Sequence, residues 1–280
     1  MMMGNMRVNR NGDVVYLTFP ALEKYGFARH AFSTRMGGVS EGVFSSMNLN
    51  FDRGDKSDNV MENYRIFCKA AGFSFDTLVA SSQKHETFIR RVGKGNCGTG
   101  IWKPKDIESV DGLITNEPEV TLVTYYADCV PLYFVDIKNK AVGLAHAGWR
   151  GTAAKIGAKT VEAMVRELGS KPENIIAAVG PSIGPCCFEV DAPVRDVFAS
   201  IGSIAPYDFI KDDGSGKYHI NLWEVNRRVL TGAGIPDKNI ISSGICTKCN
   251  SDMFFSHRAM GVKRGGLAAF IEIKGENDGD

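Results

Sequence analysis

One stretch limits the architecture more than any other: Val120 to Asp136, VTLVTYYADCVPLYFVD. Its apolar content is nearly continuous, as in strands covered on both faces. Two features argue against a single strand. Ala127-Asp128-Cys129 interrupts the run, and Pro131, which has no N–H to donate to a ladder, follows closely. The run predicts two strands joined at a bend, with Asp128 and Cys129 at that bend. Polar groups inside an apolar run need partners. A metal or a catalytic site would supply them. So would a plainer arrangement, a buried thiol beside a turn-capping aspartate, and this segment alone weighs the two evenly.

A second stretch, Val142 to Gly151 (VGLAHAGWRG), has the same character. An apolar strand ends in His146, and a glycine turn carries Arg150 between Gly148 and Gly151. A helix is expected from Thr152, with Ile156, Thr160, Met164 and Leu168 on one face, and Gly169 and Pro172 stop it. A strand fixes a side chain rigidly, and a helix start offers free N–H groups and a partial positive charge.

Further strands are expected at Val14–Phe19, Ala28–Ser33, Leu78–Ser82, Thr87–Val92, Ile175–Gly180 and Leu267–Ile273. Ser57, Asp58 or Asn59 can cap a helix bearing Val60, Tyr64, Phe67 and Ala71, which Gly72 ends. Cys68 lies beside that stripe and is read as core. Asp191 can cap a helix bearing Val194, Val197 and Phe198, and Asn221 to Glu224 forms the asparagine version of a capping box. Tyr207 to Tyr218 reads as loop. With no repeats or long linkers, residues 1–280 are expected to form one α+β domain with several antiparallel pairs. Residues 1–13 and 275–280 are expected to be flexible at its ends.

Lys and Arg total 33 against 32 Asp and Glu, so no basic excess points to nucleic acid or an anionic membrane. No apolar run approaches the ~20 residues that span a bilayer. The first residues, MMMGNMRVNRNGD, lack the apolar core of a secretory signal. The expected compartment is the cytoplasm, where seven cysteines read as thiols or metal ligands rather than as a disulfide frame.

Several motifs fail on context. Gly93 to Gly98 spells G-x-G-x-x-G after a strand, but Gly100 and Pro104 prevent the helix that must receive a pyrophosphate. His85-Glu86 begins the H-E-x-x-H pattern, and Ile89 breaks it. Cys246 and Cys249 form a single C-x-x-C with no second such pair nearby, so two thiols in a turn is the favoured reading. Cys186 and Cys187 are adjacent in a rigid turn, PSIGPCCF. Arg35, ahead of Gly37-Gly38, could reach an anion, although spacing alone favours a surface arginine at a hairpin.

Among the histidines, His85 and His146 share with Cys129 a place at the end or bend of a strand beside a polar turn. Two imidazoles and a thiolate suit zinc, and three protein ligands leave a position open for water. The spacings match no local zinc signature.

The chain resembles the YfiH/laccase-domain family, formerly labelled multicopper polyphenol oxidoreductase, from about Ala31 to Ile271. The resemblance is carried by Ser33-Thr34-Arg35-Met36-Gly37-Gly38-Val39-Ser40, Ser46-Met47-Asn48-Leu49, Gln83-Lys84-His85, Asp111-Gly112 and Ala127-Asp128-Cys129-Val130-Pro131. His146 to Gly151, Gly180 to Cys187, Cys246 to Cys249 and Phe255-Ser256-His257-Arg258 add to it. It implies a layered α/β/β/α fold with mixed, partly antiparallel sheets, and zinc at His85, Cys129 and His146. It also implies phosphorolysis of adenosine, inosine or guanosine to base and ribose 1-phosphate, with methylthioadenosine phosphorolysis and adenosine deamination at the same site. Lys84 and Glu86 depart from the usual residues beside the first histidine, and His257 stands where the family often has Tyr.

On this reading Cys129, His146 and Asp128 are the catalytic candidates, with Asp128 orienting an imidazole or moving a proton. Arg35, Asn48 and Arg150 are the candidates for binding substrate or phosphate. The partners are a purine nucleoside and phosphate. Rival readings are a Cys129/His146 hydrolase editing peptidoglycan precursors, a copper-binding polyphenol oxidase, and a metal-binding protein without activity.

Overall fold

The computed structural model describes residues 1–106, 108–201, 209–212 and 214–275. The apolar run does divide at its polar centre, into strands Thr121–Tyr126 and Val130–Asp136. The two halves enter different sheets. Asp128, at φ 85°, makes the bend that carries the chain across.

The first sheet has seven strands, in the order Met2–Met3, Met6–Asn11, Val14–Thr18, Ala28–Ser33, Leu267–Ile273, Thr121–Tyr126 and Leu78–Ala80. The second has six: Ile240–Ser242, Ile175–Val179, Val130–Asp136, Ala141–Ala147, Gly112–Thr115 and Ile89–Arg91. Most neighbours are antiparallel. Leu78–Ala80 with Thr121–Tyr126, Ile89–Arg91 with Gly112–Thr115, and Ile175–Val179 with Ile240–Ser242 are parallel.

Strand alternation builds four layers. Leu122, Val142, Leu144, Leu267 and Ile271 meet in a core between the sheets. Their neighbours Val123, Ala268 and Phe270 point the other way, onto Val60, Tyr64 and Phe67 of the helix Ser57–Ala71. Leu132, Phe134 and Ala145 turn from the second sheet toward Val161 and Met164 of Ile156–Leu168 and Val225 and Leu230 of Leu222–Gly232. The order is α/β/β/α, and each sheet is covered twice, which is why its strands read as apolar on both faces.

Four expectations need correction. Residues 2–3 and 6–11 are strands, not flexible chain: Met6 is fully buried between the sheets, and Asn5 bonds Ser242 and Ser243. The expected flexibility of 276–280 lies outside the described residues. The expected helix from Thr152 starts earlier, at Trp149, and breaks at Lys155 (φ 59°) before resuming at Ile156. Within the expected loop Tyr207–Tyr218, Ile210–Asp212 pairs with Tyr218–Ile220, while 207, 208 and 213 lie outside the described residues. None of Ser57, Asp58 and Asn59 stands at the cap, which is Lys56, and Asp191 makes no capping bond through its side chain, whereas Asn221 does, accepting the Glu224 N–H.

Candidate metal centre and cavity

Parity places the first ligand. Val142 and Leu144 face the inter-sheet core, so His146, two residues on, points the same way at the end of its strand. Cys129 sits opposite, one residue before Val130, which pairs with Ala147. His85 arrives on the loop after Leu78–Ala80, with its backbone at φ 63°. One ligand atom from each of the three can be chosen so that all lie within 4.8 Å of one another. His85 Nε2 is 3.9 Å from Cys129 Sγ, and the two imidazoles meet edge to face at 4.8 Å between centroids.

Gly148 explains the glycine turn. A β-carbon there would come within 2.8 Å of the His85 ring and 3.3 Å of the Cys129 sulfur. The ligands close over bare backbone, so no side chain fits at that position.

Asp111 organises the group and carries no role in the sequence reading. Its fully buried carboxylate accepts His146 Nδ1 at 2.8 Å and the His85 N–H at 3.1 Å on one oxygen. The other oxygen accepts the N–H groups of Lys84 and Glu86, each at 3.0 Å. One carboxylate therefore fixes the His85 loop and the His146 tautomer, leaving Nε2 of His146 for the cavity side. Positions 84 and 86 serve Asp111 through their backbone N–H groups, not their side chains. The Glu86 side chain turns to the Ser109 hydroxyl.

Orienting the imidazole, assigned to Asp128 from sequence, thus falls to Asp111. Asp128 is held by the Thr247 hydroxyl at 2.7 Å, the Ser256 hydroxyl at 3.0 Å and the Arg258 N–H at 2.7 Å. Its left-handed backbone leaves the carboxylate as the tie between the bend and the segment 247–258.

The electrostatics suit a cation. Burial opposes the Cys129 thiolate, but the adjacent His146 and His85 outweigh it and bring the thiol down to about 6. Burial also pulls His146 down, and the Cys129 sulfur with the Asp111 carboxylate more than reverses that, to about 9. Burial likewise opposes the Asp111 charge, and its bonds from His146 and the backbone hold its carboxyl below the ordinary value. A bound cation would replace the proton that His146 otherwise shares with Cys129. The donor set, two nitrogens and a soft sulfur oriented by a buried carboxylate, fits zinc.

The three residues line a cavity of about 630 Å³, within the range of small-molecule sites. Arg264 is the unanticipated wall residue. It is 5% exposed, its Nε has no hydrogen-bond partner, and Nη1 reaches only the Gly265 carbonyl at 3.3 Å. Burial and the nearby Arg53 lower it to about 10, against the pull of Asp128 and Cys129. Arg53, also on the wall, has an unpartnered Nε as well. The only advance signal was arginine beside glycine, in Arg53-Gly54 and Arg264-Gly265-Gly266.

The expected anion ligands fare unevenly. Arg150 lines the cavity, exposed, with its guanidinium 4.3 Å above the Trp149 ring. Arg35 does not line it. Its guanidinium donates to the Ser45 and Ser251 carbonyls and lies over Phe255. Nor does Asn48, which is fully buried and spends its amide on Asn50, Asp55 and the Gly266 N–H. Both hold the loops behind the wall. His257 does line the cavity.

A family model described as multi-copper polyphenol oxidoreductase laccase matches residues 29–274. A purine nucleoside phosphorylase of Bacteroides thetaiotaomicron is 35% identical over 262 residues, 93% of this chain and 97% of that protein. A protein named adenosine deaminase RL5, from an unknown prokaryotic organism, is 34% identical over 251 residues, 87% of this chain and 95% of its own. The crystal structure of the Bacillus licheniformis hypothetical protein YfiH aligns with a TM-score of 0.89 at 34% identity, covering 96% of this chain and 99% of that one.

Proposed function

The chain belongs to the multi-copper polyphenol oxidoreductase laccase family, and from that premise we propose that it is a zinc-dependent purine nucleoside phosphorylase. The observation that carries the reading is Arg264: a buried guanidinium with an unpartnered Nε, in the cavity that holds His85, Cys129 and His146. Burying such a group is costly without an anionic partner, and phosphate supplies one with matching geometry. Arg264 and Arg53 would hold the phosphate, and Arg150 would meet it at the rim. Attack of a phosphate oxygen on ribose C1′ breaks the bond to the base and gives ribose 1-phosphate. The departing purine needs a proton, for which His257 on the wall is our candidate. Zinc held by the trio would supply a Lewis acid and a polarised water. Asp111 keeps the His146 imidazole and the His85 backbone in place for it.

The name of the deaminase relative and the three-ligand geometry favour a second activity, hydrolytic removal of the adenine amino group. Phosphate separates the two. With adenosine, phosphorolysis gives adenine only when phosphate is added, and deamination gives inosine and ammonia without it. Chromatography of products from zinc-replete chain, with and without phosphate, decides. Adenine release at the same rate in both would overturn the phosphorylase reading.

A further inference from the structure

A second cluster of ligand atoms lies outside the cavity. The turn after Ile175–Val179 carries Cys186 and Cys187, and the segment after Ile240–Ser242 carries Cys246 and Cys249. Their four sulfurs all lie within 4.8 Å of one another. Cys249 Sγ is 3.5 Å from Cys186 Sγ and 3.5 Å from Cys187 Sγ. These separations are far longer than a disulfide bond, at about 2.0 Å, and all four cysteines are free. Two at 3.5 Å and none above 4.8 Å, they are compatible with the edge of about 3.8 Å for a sulfur tetrahedron around an ion at about 2.3 Å. From this geometry we propose that Cys186, Cys187, Cys246 and Cys249 form a second metal site, a closed tetrathiolate site for zinc.

The surroundings are built for it. The Gly184 N–H donates to Cys246 Sγ at 3.2 Å, a bond that favours thiolate over thiol. The two segments are joined by backbone bonds, Ser182 N–H to the Ile245 carbonyl and Thr247 N–H to the Ser182 carbonyl. A β-carbon on Gly184 would come within 2.9 Å of Trp223 and 3.1 Å of the Cys246 β-carbon, so the turn is seated closely. Trp223 Nε1 in turn donates to the Ser182 hydroxyl at 2.7 Å. Four sulfurs this close surround one ion rather than a multi-iron cluster. With all positions taken by thiolate, the site is structural rather than catalytic.

The cluster also has a mechanical consequence. Phe188 and Glu189, directly after Cys187, line the cavity, and Thr247 lies between the other two cysteines and bonds Asp128. An ion here ties the cavity wall to the segment that fixes the bend at Asp128. The site stands on the sulfur geometry alone and does not depend on the phosphorylase reading.

The test is metal content by elemental analysis and native mass spectrometry of the full chain, purified with zinc and reductant. Wild type should hold about two zinc ions, the His85→Ala/Cys129→Ala variant about one, and the Cys186→Ser/Cys249→Ser variant about one. Cobalt substituted into the His85→Ala/Cys129→Ala chain should show the strong sulfur-to-metal absorption of four thiolates. If the cysteine variants fail to fold, mercurial titration of wild type gives a separate reading: one zinc should leave in step with four thiols. The proposal is overturned if His85→Ala/Cys129→Ala retains no metal or retains iron, or if the four thiols are alkylated freely in the zinc-replete native chain.

Discussion

The two ligand clusters invite comparison, because both are assembled from segments far apart in sequence. The His85, Cys129 and His146 set is oriented by a buried carboxylate and faces a cavity whose wall includes the buried Arg264. The four cysteines hold one another, take their support from backbone N–H groups, and present Cys186 and Cys249 to the surface. Three mixed donors beside a cavity leave room for a reactant, and four thiolates leave none. Ligand count and what lies beyond it separate a reactive centre from a staple.

The largest effect should come from breaking the open centre. On the proposed function, Cys129→Ala should lower kcat/KM for phosphorolysis by on the order of 10³-fold, since a metal at the trio would supply several kcal/mol of charge stabilisation. Cys186→Ser/Cys249→Ser should change kcat little, while its thermal midpoint falls and its response to chelation shrinks to that of the one ion at the trio. Equal kinetic losses in the two variants would erase the distinction.

Asp111→Asn comes next. Its amide cannot accept from all four N–H groups that the carboxylate now serves. Zinc affinity at the trio should fall by about 10- to 100-fold in a chelator competition, with the thiol site unaffected. Unchanged affinity would show that Asp111 does not set the His146 imidazole and the His85 loop.

Arg264→Met tests the cavity wall. KM for phosphate should rise by about tenfold, equivalent to ~1.4 kcal/mol. Thermal stability should hold or improve, because a buried cation beside Arg53 is removed. A normal KM for phosphate would move the anion site elsewhere.

The smallest kinetic effect belongs to Arg35→Met. Losing its bonds to the Ser45 and Ser251 carbonyls should cost about 1–3 kcal/mol in denaturant unfolding. KM for nucleoside and phosphate should stay near wild type. A large rise in KM for phosphate would return Arg35 to the binding residues.

Much of the fold was legible because its strands are covered twice. Continuous apolar runs marked them, and Pro131 with Ala127-Asp128-Cys129 marked the bend. The strand at the chain start was missed because Met6 and Val8 alone carry its alternation. The helix break at Lys155 has no glycine or proline to announce it. In the site, His85, Cys129 and His146 were visible as polar residues at strand ends. Asp111 enters the sequence reading only within the Asp111-Gly112 motif, with no role, and Arg264 does not enter it.

Local chemistry decided what each stretch could be: which runs become strands, where they bend, and which ends present a histidine or a cysteine. Those outcomes depend on neighbours a few residues away, so the sequence alone contains them. Tertiary structure decided which ends meet. Cys186 and Cys249 approach to 3.5 Å across 63 positions, and Asp111 reaches His146 across 35. Such contacts arise from the packing of two sheets face to face and from the crossing at Asp128, and no local pattern records them. That packing gathers separate sulfurs and nitrogens into ligand sets, and it turns an arginine beside glycine into a buried cation facing the cavity.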